Sequence, residues 1–316
     1  LIPVKNGSKQ LEKNLPTLAQ QAYPSFEIIV IDDHSDQEEN RKLNEFILRF
    51  PNVMLISSDL PPGKMNAITV GLKKSKYECI LLADADGQPA SPKWIETMTA
   101  SAQGNGIVLG YSPYKKVKGL LNMFIRFETI MTGMQYLSWA MRGRPYMGVG
   151  RNLLISRTLL QEQLLKNIQD APYGHDDYLV QALSHKTQVS TCIDPDGFVY
   201  TEAPSTWSAW MNQKHRHLSA ARSYSFRNWW KPGLFGIALV LHWLLLVPVL
   251  GLKGHPITWS LTMIALSIRW IRYVRWAARL EDRDMIVFYP VLEFAYAVYL
   301  AFMGTWTVIK KKQSWN

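Results

Sequence analysis

Short apolar runs rich in Ile, Val and Leu recur along the first third of the chain, at Phe26–Ile31, Val53–Ser57, Ile80–Ala83 and Ile107–Gly110, and Leu1–Val4 precedes them as a first strand. Continuous runs of this kind, without alternation, are what strands buried on both faces look like. Between them, Gln10–Gln21, Gln37–Phe50 and Met65–Lys74 carry apolar residues at helical spacing and are punctuated by Pro, Gly or Asp. The alternation predicts an α/β domain with a mostly parallel sheet and flanking helices, in which ligands bind beyond the carboxyl ends of the strands. Farther on, Lys116–Met141 places Leu120, Leu121, Phe124, Phe127, Ile130, Met131, Met134 and Leu137 on one side of a long helix. Such a helix lies on a membrane surface or faces a core.

The pattern changes after Pro232. Gly233–Leu252 holds no Asp, Glu, Lys or Arg, and about twenty helical residues at 1.5 Å each reach across a bilayer core of roughly 30 Å. Ile257–Ile268 is apolar but short, and Met285–Ile309 is long enough to span while carrying Glu293. The expected organisation is a catalytic domain over residues 1–228, continued upstream of Leu1–Val4, then a membrane domain over 229–316 with two or three C-terminal transmembrane helices.

The formal net charge of +10 admits nucleic acid, acidic lipid or phosphate-bearing substrates. Its location decides between them, because Arg269, Arg272, Arg275, Arg279, Arg283 and Lys310–Lys312 flank the apolar segments, where cations meet anionic headgroups. Membrane lipids are therefore expected as partners; nucleic acid is not, since no basic-aromatic binding module is visible. The only two cysteines, Cys79 and Cys192, sit in apolar runs and read as reduced core residues.

The acidic residues that suggest chemistry stand at strand ends. Asp84-Ala85-Asp86 follows a buried strand and offers oxygen ligands to a divalent cation that would neutralise a diphosphate. Asp32-Asp33-His34-Ser35-Asp36 follows another, with Asp33 placed to accept from the N–H of a base and Ser35 or Asp36 to cap the next helix. Pro62-Gly63-Lys64 opens a helix whose N-terminus favours an anion. It lacks P-loop spacing, and no Gly-x-Gly-x-x-Gly opens the first helix, so kinase and dinucleotide readings lose their main support. His175-Asp176-Asp177 supplies a carboxylate for general-base work or for a helix cap. Gln213, Arg216 and His217 share a helix face suited to a diphosphate, an acceptor hydroxyl or lipid headgroups.

Taken in order, Leu1-Ile2-Pro3-Val4-Lys5-Asn6, Asp32-Asp33-His34-Ser35, Gly63-Lys64, Asp84-Ala85-Asp86-Gly87, His175-Asp176-Asp177 and Gln213-x-x-Arg216-His217 resemble the family 2 glycosyltransferases, and among them the membrane-bound synthase-like branch. The resemblance implies the glycosyltransferase A fold and an inverting transfer from a nucleotide-diphosphate sugar, UDP-linked by expectation, to a hydroxyl of a glycan or lipid-linked acceptor. It implies donor binding by Pro3, Asp33, Lys64 and Asp84, a divalent cation (Mn2+ or Mg2+) on Asp84 and Asp86, and Asp176 or Asp177 as base. Gln213, Arg216 and His217 would frame the acceptor and pyrophosphate. Where the family has Glu-Asp this chain has His175-Asp176-Asp177, and the spacing to Leu179 favours Asp176 as base. His217 stands where the family has Trp, which points to single addition over polymer extrusion. Two rivals are a polyprenyl-phosphate glycosyltransferase and an inactive membrane subunit. The expected location is a bacterial inner membrane, with the catalytic domain cytoplasmic.

Overall fold

The computed structural model describes residues 1–104, 106–164, 175–220, 226–251 and 255–309. Strands β1 (Ile2–Val4), β2 (Ile28–Asp32) and β3 (Val53–Ser57) run parallel, with Val4 opposite Asp32 and Asp32 opposite Ser57, so their carboxyl ends form one level edge. Every residue of β2 is buried. Period-2 alternation sends Ile28 and Val30 to one face, with Leu11 and Leu15 of helix α1 (Ser8–Ala19) and Leu43 of α2 (Gln37–Ile47), while Ile29 and Ile31 meet Ala67 and Val70 of α3 (Lys64–Lys74). The covered faces explain the unbroken apolar run.

Strand β4 (Cys79–Leu82) joins β1 through Leu1 N to Leu81 O at 2.7 Å and Ala83 N to Leu1 O at 3.1 Å. Beyond it the sheet is mixed: β7 (Leu153–Ser156) runs antiparallel between β4 and β6 (Ile107–Gly110), and β8 (Val189–Cys192) pairs parallel with β6. A small antiparallel ribbon pairs β5 (Gln88–Pro89) with β9 (Val199–Tyr200). The apolar run of β7 resembles that of its neighbours, and nothing in it encodes direction; a reversed strand in a mostly parallel sheet is visible only once the long connection before it is placed. Helices α4 (Trp94–Ala100), α5 (Leu120–Met141), α6 (Arg157–Leu164) and α7 (His175–Leu183) complete this part. α5 buries Phe124, Phe127, Ile130, Met131, Met134 and Leu137, so the core-facing alternative for this helix holds. Cys79 departs from expectation: as the first residue of β4 it alternates with buried Ile80 and Leu82 and is exposed, whereas Cys192 is buried.

The chain divides into two compact units. One contains the strands with α1 to α4, α6, α7 and the C-terminal end of α5; the other contains Lys116–Gln135 with α8 (Trp207–Ala220), α9 (Phe226–Gly251), α10 (Pro256–Arg279) and α11 (Tyr289–Ile309). Among the described residues no helix is long and apolar enough to cross a membrane, so the spans expected over Gly233–Leu252, Ile257–Ile268 and Met285–Ile309 are not found. Polar groups stand within or beside the described stretches. α9 buries Lys231 against Asn228 and carries His242, α10 ends in arginines, and α11 buries Glu293 against Arg269 and Tyr289. Leu252, at the end of the first expected span, and Lys310–Lys312 lie outside the described residues.

The interior of this helical unit is held by charge as well as by aromatic packing. Phe124, Trp207, Trp210 and Tyr299 stack edge to face, and Lys214 of α8 pairs with Glu128 of α5. Arg126 is 3% exposed and grips Asp282 and both oxygens of Asp284, which also meets Lys116 at 2.8 Å. Burial works against the Asp284 charge, yet its bonds to Arg126 and Lys116 bring its pKa down to about 2. A carboxylate with a depressed folded-state pKa contributes stability above its unfolded pKa and loses it as the pH falls through the folded one. Because its side chain is 38% exposed, that contribution is discounted for solvent screening. Asp284→Asn should therefore destabilise the chain by about 1 kcal/mol at neutral pH. The difference should vanish between about pH 4 and pH 2, read by urea unfolding across that window, and an equal cost at pH 2 would refute the assignment.

Candidate functional site

The level carboxyl edge of β1 to β3 fixes a polar loop cluster. Asp32 closes β2 and accepts from Ser35 N at 3.2 Å and from Asn40 Nδ2 at 2.8 Å. Asp36 caps α2 by accepting from Glu39 N at 3.0 Å, as one of the two sequence alternatives had it. The turn after β1 is tied to this loop, since Asn6 N donates to Ser35 Oγ at 2.8 Å and Asp36 N donates to Asn6 Oδ1 at 2.9 Å. Pro3 lies half-buried in β1 opposite Ile31. Asp33 is only 2% exposed, and its carboxylate accepts from Gly63 N at 2.9 and 3.1 Å. That contact pins the loop before α3, and Gly63, with φ of 155°, adopts a backbone that other residues rarely take.

Lys64, the first residue of α3, then turns toward two acids from distant segments. Its Nζ lies 2.8 Å from Asp84 Oδ1 and 3.7 Å from Asp176 Oδ2. Burial opposes the lysine charge, but Asp176 and Asp84 outweigh it and hold the Lys64 pKa above the ordinary value. In the same way, burial opposes the Asp84 charge while Lys64, and after it Arg151, bring its pKa below the usual carboxylate range. Asp86 is exposed and accepts from Thr201 Oγ1 at 2.8 Å, a contact set by the β5–β9 ribbon.

The two adjacent aspartates of α7 face different partners. Asp177 Oδ1 accepts from Gly148 N at 3.2 Å, whereas Asp176 turns to Lys64 and packs over Gly150. Asp176 is 25% exposed, and its Oδ1 is buried with no hydrogen-bond partner among the described residues. A Cβ on Gly150 would fall 2.1 Å from the Asp176 carboxyl carbon, so only glycine fits beneath it.

The sequence-derived residues Lys64, Asp84 and Asp176 thus meet, with Asp33 on the loop that leads into Lys64 and Asp86 two residues beyond Asp84. Gln213, Arg216 and His217 belong to the other unit, on α8, where Trp210 and Lys214 take the buried face and Arg216 and His217 are exposed. Among the described residues there is no group of three His, Cys, Asp or Glu side chains that could hold a metal. Asp84 and Asp86 offer two hard oxygen donors, a set that suits Mg2+ or Mn2+ when substrate oxygens supply the rest. Gly150, Arg151 and Thr201 escaped the sequence reading. The signal available for the first two was Gly148-Val149-Gly150-Arg151-Asn152, small residues and one cation just before an apolar run.

Comparison with known proteins places this geometry in a family. Residues 1–162, about half of the chain, match the family model described as Glycosyl transferase family 2. A probable glycosyltransferase of Bacillus subtilis is 24% identical over 239 residues, covering 68% of this chain and 53% of that protein. A dolichyl-phosphate beta-glucosyltransferase of Trichomonas vaginalis is 28% identical over 95 residues, covering 28% of this chain and 29% of the relative. The matches span about half the length of these curated relatives or less. Among solved structures, a mannosyltransferase from Pyrobaculum calidifontis in complex with GDP-Man and Mn2+ superposes with a TM-score of 0.56 at 16% identity, covering 94% of this chain and 86% of that one, which speaks to the fold. The chain belongs to glycosyl transferase family 2 and has its glycosyltransferase A type α/β fold.

Gly150→Ala tests the contact at the centre of the site. Overpacking of this kind typically costs about 1–3 kcal/mol, and contacting residues are not additive. Denaturant unfolding should show that cost in the single variant and a much smaller one when Asp176→Ala is already present; equal costs in both backgrounds would mean that Gly150 is not confined by Asp176.

Proposed function

We propose that this chain transfers a sugar from a nucleoside-diphosphate donor to an acceptor hydroxyl, with inversion at the anomeric carbon. The observation that carries the reading is the meeting of Lys64, Asp84 and Asp176 beyond the strand ends, at the place where sheets of this class bind ligands. An inactive partner-binding subunit would have no use for a buried cation shared by two carboxylates.

In this reading Asp176 is the base. The acceptor O–H loses its proton to the Asp176 carboxylate, the oxygen forms a bond to the anomeric carbon, and the bond from that carbon to the β-phosphate oxygen breaks with its electron pair. The products are a glycoside and a nucleoside diphosphate. Asp177, bound to the Gly148 amide, holds the start of α7. Asp33 and Pro3 border the nucleoside, the base being uracil by family expectation. Asp84 and Asp86 would hold the Mn2+ or Mg2+ ion, each having one oxygen engaged, by Lys64 and Thr201 respectively. When bound, such an ion supplies charge neutralisation for the leaving diphosphate.

The helical unit supports attachment to a lipid surface. Leu234, Ile237, Leu241, Leu244 and Leu245 of α9 are exposed, as are Ile257, Leu261, Ile264, Ile268 and Ile271 of α10 and Val291, Phe294, Val298 and Phe302 of α11. These follow helical spacing, and soluble monomers rarely leave apolar stripes of such extent in water. On α10 the apolar stripe gives way to exposed Arg272, Arg275 and Arg279, which suit anionic headgroups. We place the protein at a bacterial inner membrane with the catalytic unit on the cytoplasmic side, and its acceptor among membrane lipids or lipid-linked glycans.

Two measurements check these readings. A general base contributes about 10² to 10⁴-fold in rate, so Asp176→Asn should lower turnover by that order with donor affinity nearly unchanged, while Asp177→Asn should cost far less. In the same panel, Asp86→Ala should lose the manganese-dependent part of nucleoside-diphosphate binding; full activity in both amide variants would remove the pair from catalysis. For the membrane, the detergent-purified chain should float with vesicles containing anionic lipid and be only partly released by high salt. Protein that stays soluble and monomeric without detergent or lipid would defeat the attachment.

A further inference from the structure

The turn before β7 holds a cation that the reading so far leaves without a task. Asn152 is fully buried and makes three bonds: its Nδ2 donates to Tyr111 O at 2.8 Å and to Gly197 O at 2.9 Å, and its Oδ1 accepts from Trp94 Nε1 at 2.9 Å. Gly150, on the other side, is locked beneath the Asp176 carboxyl. Arg151 therefore starts from a backbone position that cannot shift far. Its guanidinium lies 5.6 Å from the centre of the Tyr114 ring, with Nη2 at a long 3.4 Å from Ser112 O.

What the guanidinium lacks is an anion. Its Nε is buried and has no hydrogen-bond partner among the described residues, and no ion pair of Arg151 occurs among them. A buried donor left unmade costs free energy, and a guanidinium is the side chain whose fork matches a phosphate. The turn also borders the cluster, because Gly150, the residue before Arg151, lies under the Asp176 carboxyl and Asp176 Oδ2 lies 3.7 Å from Lys64 Nζ. Two cations facing one cluster repel each other, and an oxyanion between them would relieve that repulsion. The plain alternative is a residue that only stacks on the buried Tyr114 ring, a contact that leaves the Nε donor unmade and whose packing part an uncharged side chain of similar length would also make.

We propose that Arg151 is a phosphate-binding residue of this site, taking an oxyanion in the fork of its guanidinium beside Lys64. The inference rests on the glycosyl-transfer reading for the location of the site, and the phosphate has two possible sources, the donor diphosphate or a phosphate-bearing acceptor. A charged hydrogen bond of this kind corresponds to about 10- to 100-fold in affinity.

The test uses the full chain with Arg151→Met, which keeps the length and the stacking, Arg151→Gln as a second neutral variant, and Arg151→Lys, which keeps the charge but not the fork. Calorimetric titration with UDP and GDP in the presence of Mn2+, and separately with geranyl phosphate, gives the affinities; thermal melting reports the fold. Neutral variants that melt like the parent but bind a nucleoside diphosphate about 10- to 100-fold more weakly, with partial recovery in Arg151→Lys, assign the residue to the donor. The same loss confined to geranyl phosphate assigns it to the acceptor. Unchanged affinity for all three ligands in either neutral variant overturns the proposal. A parent chain that binds neither UDP nor GDP would instead count against the donor reading, and the geranyl phosphate arm would still decide the role of Arg151.

Discussion

Asp84 closes β4 and Asp176 opens α7, so nothing local brings them together, and two carboxylates sharing a partly buried site repel unless a cation lies between them. Lys64 supplies that cation from a third segment, and the pKa of the lysine rises despite burial because both acids face it. Its own placement depends on Asp33, whose carboxylate binds the Gly63 amide and so sets where α3 begins. Asp33, Gly63, Lys64, Asp84 and Asp176 form one chain of constraint, from a strand end through a helix start to two acids. Removing the lysine charge would leave the acids uncompensated, which is the costly way to break a buried pair. In the proposed function a ligand bringing phosphate oxygens would enter a cluster in which Lys64 is already committed to carboxylates, which gives additional positive charge, from a metal ion or from Arg151, its physical sense.

Much of this was legible in the residues and some of it was not, for definite reasons. β3 and β6 were readable to the residue, and β1, β2 and β4 to within two residues at either end, because each is a short run rich in Ile, Val and Leu, which in β2 and β6 is buried at every position. Asp33, Lys64, Asp84 and Asp176 were readable because each sits where a strand or helix ends, and polar residues at such points stand out against apolar runs. The direction of β7 was not readable, since antiparallel and parallel pairing both accept Leu-Leu-Ile-Ser. Gly150 gave no sign of its role either: its importance comes from Asp176, 26 positions later and on another element, so that the constraint exists only in three dimensions.

The helical unit combines high apolar content with buried polar pairs. α9, α10 and α11 are rich in Leu, Ile and Val, but their polar groups are turned inward and paired: Arg269 with Glu293, Lys231 with Asn228, and Arg126 of α5 with Asp282 and Asp284. Much of the outside is aliphatic. A polar, paired interior with an apolar exterior reverses the usual order of a soluble bundle, in which paired charges face water and aliphatic residues face each other. The proposed lipid attachment would use that exterior, with the arginines at the end of α10 toward anionic headgroups. The ion pairs of Arg269 with Glu293 and of Arg126 with Asp282 and Asp284 stabilise little in net terms, yet each fixes one segment against another, and a mispaired register would strand a charge.

The contrast between Asp176 and Asp177 bears on the class of acceptor. Asp177 is spent on a backbone amide, while Asp176 keeps one buried oxygen without a hydrogen-bond partner among the described residues. A hydroxyl acceptor has a proton to give as it attacks; a phosphate acceptor at neutral pH has already lost it and needs only cations around it. In the proposed reaction Asp176 is the base, with Lys64 and Arg151 as the cations. In the proposed reaction a hydroxyl acceptor leaves both cations to the departing diphosphate, whereas a phosphate acceptor would bring its own charge next to the Asp176 carboxylate. Lys64 already divides itself between Asp84 and Asp176, and that division is the physical reason the proposal takes a hydroxyl as its acceptor.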